Sequence, residues 1–164
     1  MWSRRIEDLI PEMQTVAIEF LKKCREAGHD VVVTCTSRTK AVQAALYAQG
    51  RQPLEEVNAI RKTVGLWSLT PEENKRPVTW TLESKHVVDH LGPGTKLHKS
   101  RALDFALRGK EKVLVWNPKI DIDRDGMPDY DECGLIAEAL GLKWGGRFKS
   151  PDRPHVEWIE KEGI

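Results

Sequence analysis

The sequence predicts a single α+β domain, and three observations carry that expectation. The chain has 164 residues, close to the roughly 150 of an average domain. Its apolar residues recur at helical steps in some stretches and form β-branched runs in others. No internal repeat and no linker-like stretch divides it.

Residues 11–28 read as a helix, because Met13, Val16, Ala17, Phe20, Leu21 and Cys24 repeat at three- and four-residue steps. Pro11 suits the first turn, where its missing N–H costs nothing, and Gly28 suits the exit. Residues 3–10 add a short turn of helix ahead of it. Residues 30–36 (DVVVTCT) are β-branched and continuous, which predicts a buried strand. Residues 40–49 read as a helix ended by Gly50. Residues 51–76 are polar, punctuated by proline and without a clear period, and read as a surface excursion. Residues 78–81 predict a short strand. Residues 101–107 (RALDFAL) predict another, with apolar side chains on alternate positions. Between them residues 87–100 form a second surface insertion, turned at Gly92-Pro93-Gly94. A short strand over 113–116, a helix over 130–140 and a last strand over 155–159 complete the reading.

Composition excludes several classes. Hydrophobic residues at 40% and charged residues at 31% give enough apolar material for a core, so disorder and fibrous folds are set aside. No apolar run reaches the ~18 residues of a membrane span. Glu7 and Asp8 interrupt any signal-type block, so the expectation is synthesis in the cytoplasm without a signal peptide. Cys24, Cys35 and Cys133 are odd in number and far apart, which argues against disulfides and a zinc–cysteine site. The net charge of +1 conceals an acidic segment, residues 121–132, with six acids and one arginine. The basic remainder lacks a basic–aromatic stripe, so nucleic acid is not an expected partner.

The acidic segment, D-I-D-R-D-G-M-P-D-Y-D-E, fits the D-x-D-x-D-G-x5-E calcium loop at every defined position. Asp121, Asp123 and Asp125 supply hard oxygen ligands, and Gly126 permits the sharp turn. The Met127 carbonyl adds a ligand, Asp129 acts through water, and Glu132 closes bidentately. The competing reading is a solvated acidic turn whose acids favour the following helix N-terminus. What precedes the loop reads as a strand rather than a helix, so a lone EF-hand-like site with a structural or regulatory Ca2+ is expected.

Among five histidines, His29 follows the first long helix and reads as part of its cap. His86 follows a predicted strand and His155 opens the last one. Asp104 lies inside an apolar strand, where an unpaired carboxylate is expensive to bury. A metal or an arginine partner resolves that cost. Two imidazoles, one carboxylate and an open fourth position form a recognised catalytic zinc arrangement. Surface histidines with a salt-bridged Asp104 are the alternative from these residues alone.

Four segments carry a resemblance to a known family. They are T-S-R-T-x-x-x-Q-x-x-L-Y-A-Q-G-R at 36–51, V-T-W-T-x-x-S-x-H at 78–86, R-A-L-D-F-A at 101–106, and L-K-W-G-G-x-F followed by D-x-P-H-V-E between 142 and 157. In this order they resemble the M15 metallopeptidases, above all the phage-type L-alanyl-D-glutamate endopeptidases (endolysins). The resemblance implies a small, mainly antiparallel sheet flanked by helices, here with a calcium-loop insertion. It implies a catalytic Zn2+ held by His86, Asp104 and His155, with Asp152 as acid/base and Arg38 contacting substrate or its developing oxyanion. Gln43 and Ser84 match positions that order the substrate site. The implied partner is bacterial peptidoglycan, cut between L-Ala and D-Glu by a monomer that neither inserts in a membrane nor binds nucleic acid, and that reaches the wall after release from the host cytoplasm. The family spaces its first two ligands seven residues apart, whereas His86 and Asp104 are eighteen apart, with Ser100 where the motif has Gly. An eleven-residue insertion accounts for this, and His98 is the rival first ligand. A D,D-carboxypeptidase or D,D-dipeptidase of the same family, and a non-catalytic calcium- or wall-binding module, are the alternatives. Trp80, Trp144 and Trp158 lie beside the motifs. Trp2, Trp67 and Trp116 carry no expected function.

Overall fold

A computed structural model describes residues 2–88 and 99–160. The centre is a five-stranded antiparallel sheet: β2 (Val31–Cys35), β4 (Ala102–Arg108), β7 (His155–Trp158) and β6 (Leu142–Trp144) in that order, with β5 (Leu114–Val115) pairing on β4. A separate two-stranded ribbon joins β1 (Trp2–Ser3) to β3 (Ser37–Arg38). Five helices accompany them: α1 (Pro11–Glu26), α2 (Lys40–Ala48), α3 (Leu54–Thr63), the short α4 (Pro71–Asn74) and α5 (Asp129–Ala139). The expected α+β architecture, an antiparallel sheet flanked by helices, is present.

Strand alternation divides the sheet into a packing face and a chemical face. Leu103, Phe105 and Leu107 of β4 and Val156 of β7 join α1 (Met13, Ala17, Phe20, Cys24) and α5 (Tyr130, Cys133, Ala137) in the main core. Successive strand residues point to opposite faces, so Asp104, His155 and Glu157 face away from those helices. Register does the rest, since Asp104 pairs directly with His155 across β4 and β7. On the other flank a bulge between Val33 and Cys35 shifts the register, so that Cys35 pairs with Asp104. The extra residue flips Cys35 from the face of Val31 and Val33 to that of Asp104.

Two sequence expectations need correction. Residues 51–76 hold α3 and α4 and a second small core of Ala48, Val57 and Leu69. Their period was obscured because the packed face includes Arg61, buried with its Nε donating to Trp67 O at 2.8 Å and Nη1 to Gln49 Oε1 at 3.3 Å. Residues 78–81 are not a strand. Their polar groups are taken by side chains instead: Gln43 Nε2 donates to Thr79 Oγ1 at 3.0 Å and Thr81 O at 2.6 Å. The sequence reading also missed β6, whose three residues are too few to show a period. The three cysteines are free and buried. Among the described residues no helix is long and apolar enough to cross a membrane.

Candidate metal centre and peptidase site

Three side chains from three segments converge on the chemical face. His86 Nε2 lies 3.0 Å from Asp104 Oδ1 and 3.2 Å from His155 Nδ1, and His155 Nδ1 lies 3.0 Å from Asp104 Oδ1. The remaining ring nitrogens are engaged behind this triangle. His86 Nδ1 is 3.1 Å from the Thr36 carbonyl, and His155 Nε2 is 3.1 Å from Glu157 Oε2. A carbonyl can only accept, so His86 carries its proton on Nδ1 and presents a bare lone pair at Nε2. A carboxylate partner favours the same division in His155, with Nδ1 free for a metal. Donors bound to one tetrahedral zinc at about 2.0–2.2 Å stand roughly 3.3 Å apart. The donor set therefore fits a zinc-type ion.

The insertion does not separate the ligands. Lys85 O accepts the Arg101 N–H at 3.0 Å and lies 3.1 Å from Ser100 Oγ, so both ends of 87–100 are stapled beside His86. Ser100, where the motif has Gly, is one of the staples. The rival His98 and most of that insertion lie outside the described residues.

Electrostatics follow from the packing. Burial pushes the Asp104 carboxyl upward, but the adjacent His86 and His155 outweigh it and hold it well below the usual range. Burial lowers His86, against the pull of Asp104. Burial also opposes a charged His155, yet hydrogen bonds to Asp104 and Glu157 raise it to about 9. Glu157, bonded to His155 and 3.2 Å from Lys143 Nζ, falls to about 2. Cys35, desolvated and facing Asp104, is pushed up to about 12 and stays a thiol.

Arg38 and Asp152 border the triad. The β1–β3 pairing and the His86 carbonyl, which accepts the Arg38 N–H at 3.0 Å, fix the Arg38 backbone. Its guanidinium approaches Asp104 Oδ2 at 3.8 Å and Ser84 Oγ at 3.4 Å. Asp152 is raised above the ordinary carboxylate range, by desolvation first and by the Asp104 charge second. Its position depends on Gly145, whose carbonyl accepts the Asp152 N–H at 2.9 Å. A Cβ on Gly145 would stand 2.3 Å from Asp152 O, so no other residue permits this approach. Arg38, Ser84, Asp152 and His155 line a cavity of about 360 Å3.

Other expectations fare differently. Gln43 is buried and braces residues 79–81, which form part of the cleft wall. The six calcium residues do not form one shell. Asp121, Asp123 and Asp125 gather within reach of one ion, while Asp129 and Glu132 group with His29. The Asp129 carboxylate lies 3.1 Å from His29 Nδ1 and accepts the Ile122 N–H at 2.7 Å. The His29 side chain therefore anchors the loop instead of capping α1. Its backbone N–H does reach the α1 carbonyl of Cys24, at 2.9 Å. The loop turns where left-handed backbone is needed, at Arg124 (φ 67°) and Gly126 (φ 100°). Sequence reasoning missed Cys35 and Glu157. Glu157 was findable, because a residue two past His155 on a strand shares its face.

Comparison with known proteins agrees with this geometry. Residues 97–158 match the M15 peptidase family described as D-alanyl-D-alanine carboxypeptidase. The peptidoglycan L-alanyl-D-glutamate endopeptidase CwlK of Bacillus subtilis is 28% identical over 154 residues, 93% of this chain and 74% of that protein. The crystal structure of the Serratia marcescens L-Ala D-Glu endopeptidase ChiX shares the fold, with a TM-score of 0.52 and 16% identity over 94% of this chain and 83% of that one. With the motif residues assembled in one cleft, the chain is similar to the M15 peptidases in its C-terminal part and to CwlK over most of its length.

Proposed function

We propose that this chain is a zinc-dependent peptidoglycan peptidase that hydrolyses the L-Ala–D-Glu bond of the peptide stem, a wall-lytic enzyme of the endolysin type. One observation carries the reading: two imidazole nitrogens and one carboxylate oxygen converge within 3.0–3.2 Å, each imidazole backed by its own hydrogen-bond partner. A zinc ion held by His86, Asp104 and His155 supplies Lewis-acid polarisation of the scissile carbonyl and a water acidified towards neutral pH. Asp152, with its raised pKa, takes the proton of the attacking water and delivers it to the departing amine. Arg38 is always charged and donates to the carbonyl oxygen as negative charge grows there. Ser84 holds that guanidinium in place.

The bond assignment is supported by the B. subtilis relative, whose name states that specificity, over nearly the whole chain. The D-alanyl-D-alanine carboxypeptidase description of the matching family supports a second reading, removal of the terminal D-Ala. Mass spectrometry of digested muropeptides separates them. New amino-terminal D-Glu is the expected product, and loss of D-Ala alone overturns the endopeptidase assignment.

The acidic loop is a second metal site in this proposal. Asp121, Asp123 and Asp125 already accept backbone N–H groups at 2.6–3.2 Å, both Asp121 oxygens among them, which folds the loop around the three carboxylates. A hard Ca2+ held by these three would relieve the repulsion among them, with the Met127 carbonyl as a further ligand, while Asp129 and Glu132 group with His29 behind the loop. The enzyme works as a monomer and reaches the wall after release from the cytoplasm.

A further inference from the structure

Three indoles that the peptidase chemistry does not use gather around one cavity of about 470 Å3. Trp2 comes from β1, Trp67 from the segment after α3, and Trp116 from the segment after β5. Trp67 and Trp116 are 65% and 55% exposed, so core packing does not account for them. Trp2 Nε1 donates to Thr34 O at 2.9 Å, and the Arg61 guanidinium lies 5.1 Å from the Trp67 ring centre, so both rings are held in place. Arg38, Asp104 and Asp152 also line this cavity, which therefore opens onto the metal triad. Arg38 and Asp152 also line the smaller cavity of about 360 Å3, whose wall includes Lys85 and Lys149 as well as Trp80 and Phe148.

We propose that the tryptophan cavity is a saccharide subsite that seats the amino sugar joined to the L-Ala end of the stem peptide. The proposal deepens the peptidase reading and rests on it. A peptide cut between L-Ala and D-Glu carries a sugar on its amino side and free carboxylates on its other side. The two cavities differ in the same sense: the larger gathers three indoles, and the smaller carries Lys85 and Lys149 beside Trp80 and Phe148. A pyranose ring has apolar C–H faces that lie on indole faces, and a polar rim that needs hydrogen-bonding groups. Arg4 and Glu73 supply such groups at the cavity edge. The volume falls within the roughly 300–1,000 Å3 range of small-molecule sites.

The test uses the peptide-free disaccharide of N-acetylglucosamine and N-acetylmuramic acid, titrated into the whole protein and followed by calorimetry and tryptophan fluorescence. Binding with a change in indole emission is expected. Trp67→Ala and Trp116→Ala should each weaken it about tenfold, the loss of one aromatic contact. Absence of binding, or variants that bind as the parent does, overturns the proposal. In parallel, kcat/KM is compared for an L-Ala–D-Glu peptide with and without its muramyl sugar. The parent should prefer the sugar-bearing peptide by about tenfold, and the ratio should fall towards one in both variants. A ratio unchanged by the substitutions overturns the subsite. Cleavage of the bare peptide without disaccharide binding overturns the subsite alone. Disaccharide binding with neither peptide cleaved overturns the peptidase reading and leaves the sugar site standing.

Discussion

Before a metal binds, His155 is hydrogen-bonded at both ring nitrogens, and its pKa of about 9 means it is protonated at neutral pH. A zinc ion bound there would displace the proton on Nδ1. Binding near pH 7 should therefore release about one proton per ion, with the release fading and affinity rising as pH climbs through 9. Calorimetry in buffers of different ionisation enthalpy reads this directly, and pH-independent binding would contradict it. Glu157→Gln should weaken zinc about 10- to 100-fold while leaving the fold intact, because the amide orients His155 without raising its basicity. Asp152→Ala should keep stoichiometric zinc and lose hydrolysis by at least about 100-fold, whereas His155→Ala should lose the metal. Metal analysis beside peptidoglycan digestion separates the two, and an active Asp152→Ala enzyme would refute its role. Most of these residues were legible in the sequence because each sits in a motif with its own local signature. Cys35 was not, since only a bulge brings it beside Asp104.

At the scale of elements, the antiparallel registers do the positioning. Asp104 and His155 face each other across β4 and β7, and the Gly145 turn carries Asp152 to the same edge. Trp144 anchors that turn, its Nε1 donating to Arg153 O at 2.9 Å while Gly134 of α5 lies flat against its ring. A Cβ at Gly134 would come 2.2 Å from the indole. Gly134→Ala should destabilise the protein by about 1–3 kcal/mol through overpacking, seen as a lower Tm, with a loss of activity as β6 and the turn shift. The long elements were readable because helix α1 and strands β2 and β4 repeat their apolar residues often enough to reveal a period. Three-residue β6 and the α3 helix around buried Arg61 lacked that redundancy, and the unpaired 78–81 segment mimicked a strand in its β-branched residues alone.

Across the whole molecule, one sheet separates an apolar half from a polar half, and the acidic loop ties α5 to the end of α1 through His29 and Asp129. Calcium bound there should stabilise the entire domain, because the metal favours only the folded loop. At about 100 times its Kd the gain is about 2.7 kcal/mol, a rise in Tm on the order of 5–10 °C, with zinc still in place. Asp123→Asn with Asp125→Asn should abolish the rise, and no heat of calcium binding would remove the site. The overall class was visible from the alternation of helical and β patterns; the division of the surface into two lobes around the triad was not, because it depends on side chains scattered from Trp2 to Trp116. The β1–β3 ribbon has a practical consequence. Because Trp2 and Ser3 pair with Arg38 and Ser37, trimming the first few residues would loosen the backbone that carries the Arg38 guanidinium to the edge of the triad. Anyone fusing this protein to a carrier should leave its opening residues native and append the cargo at the opposite terminus.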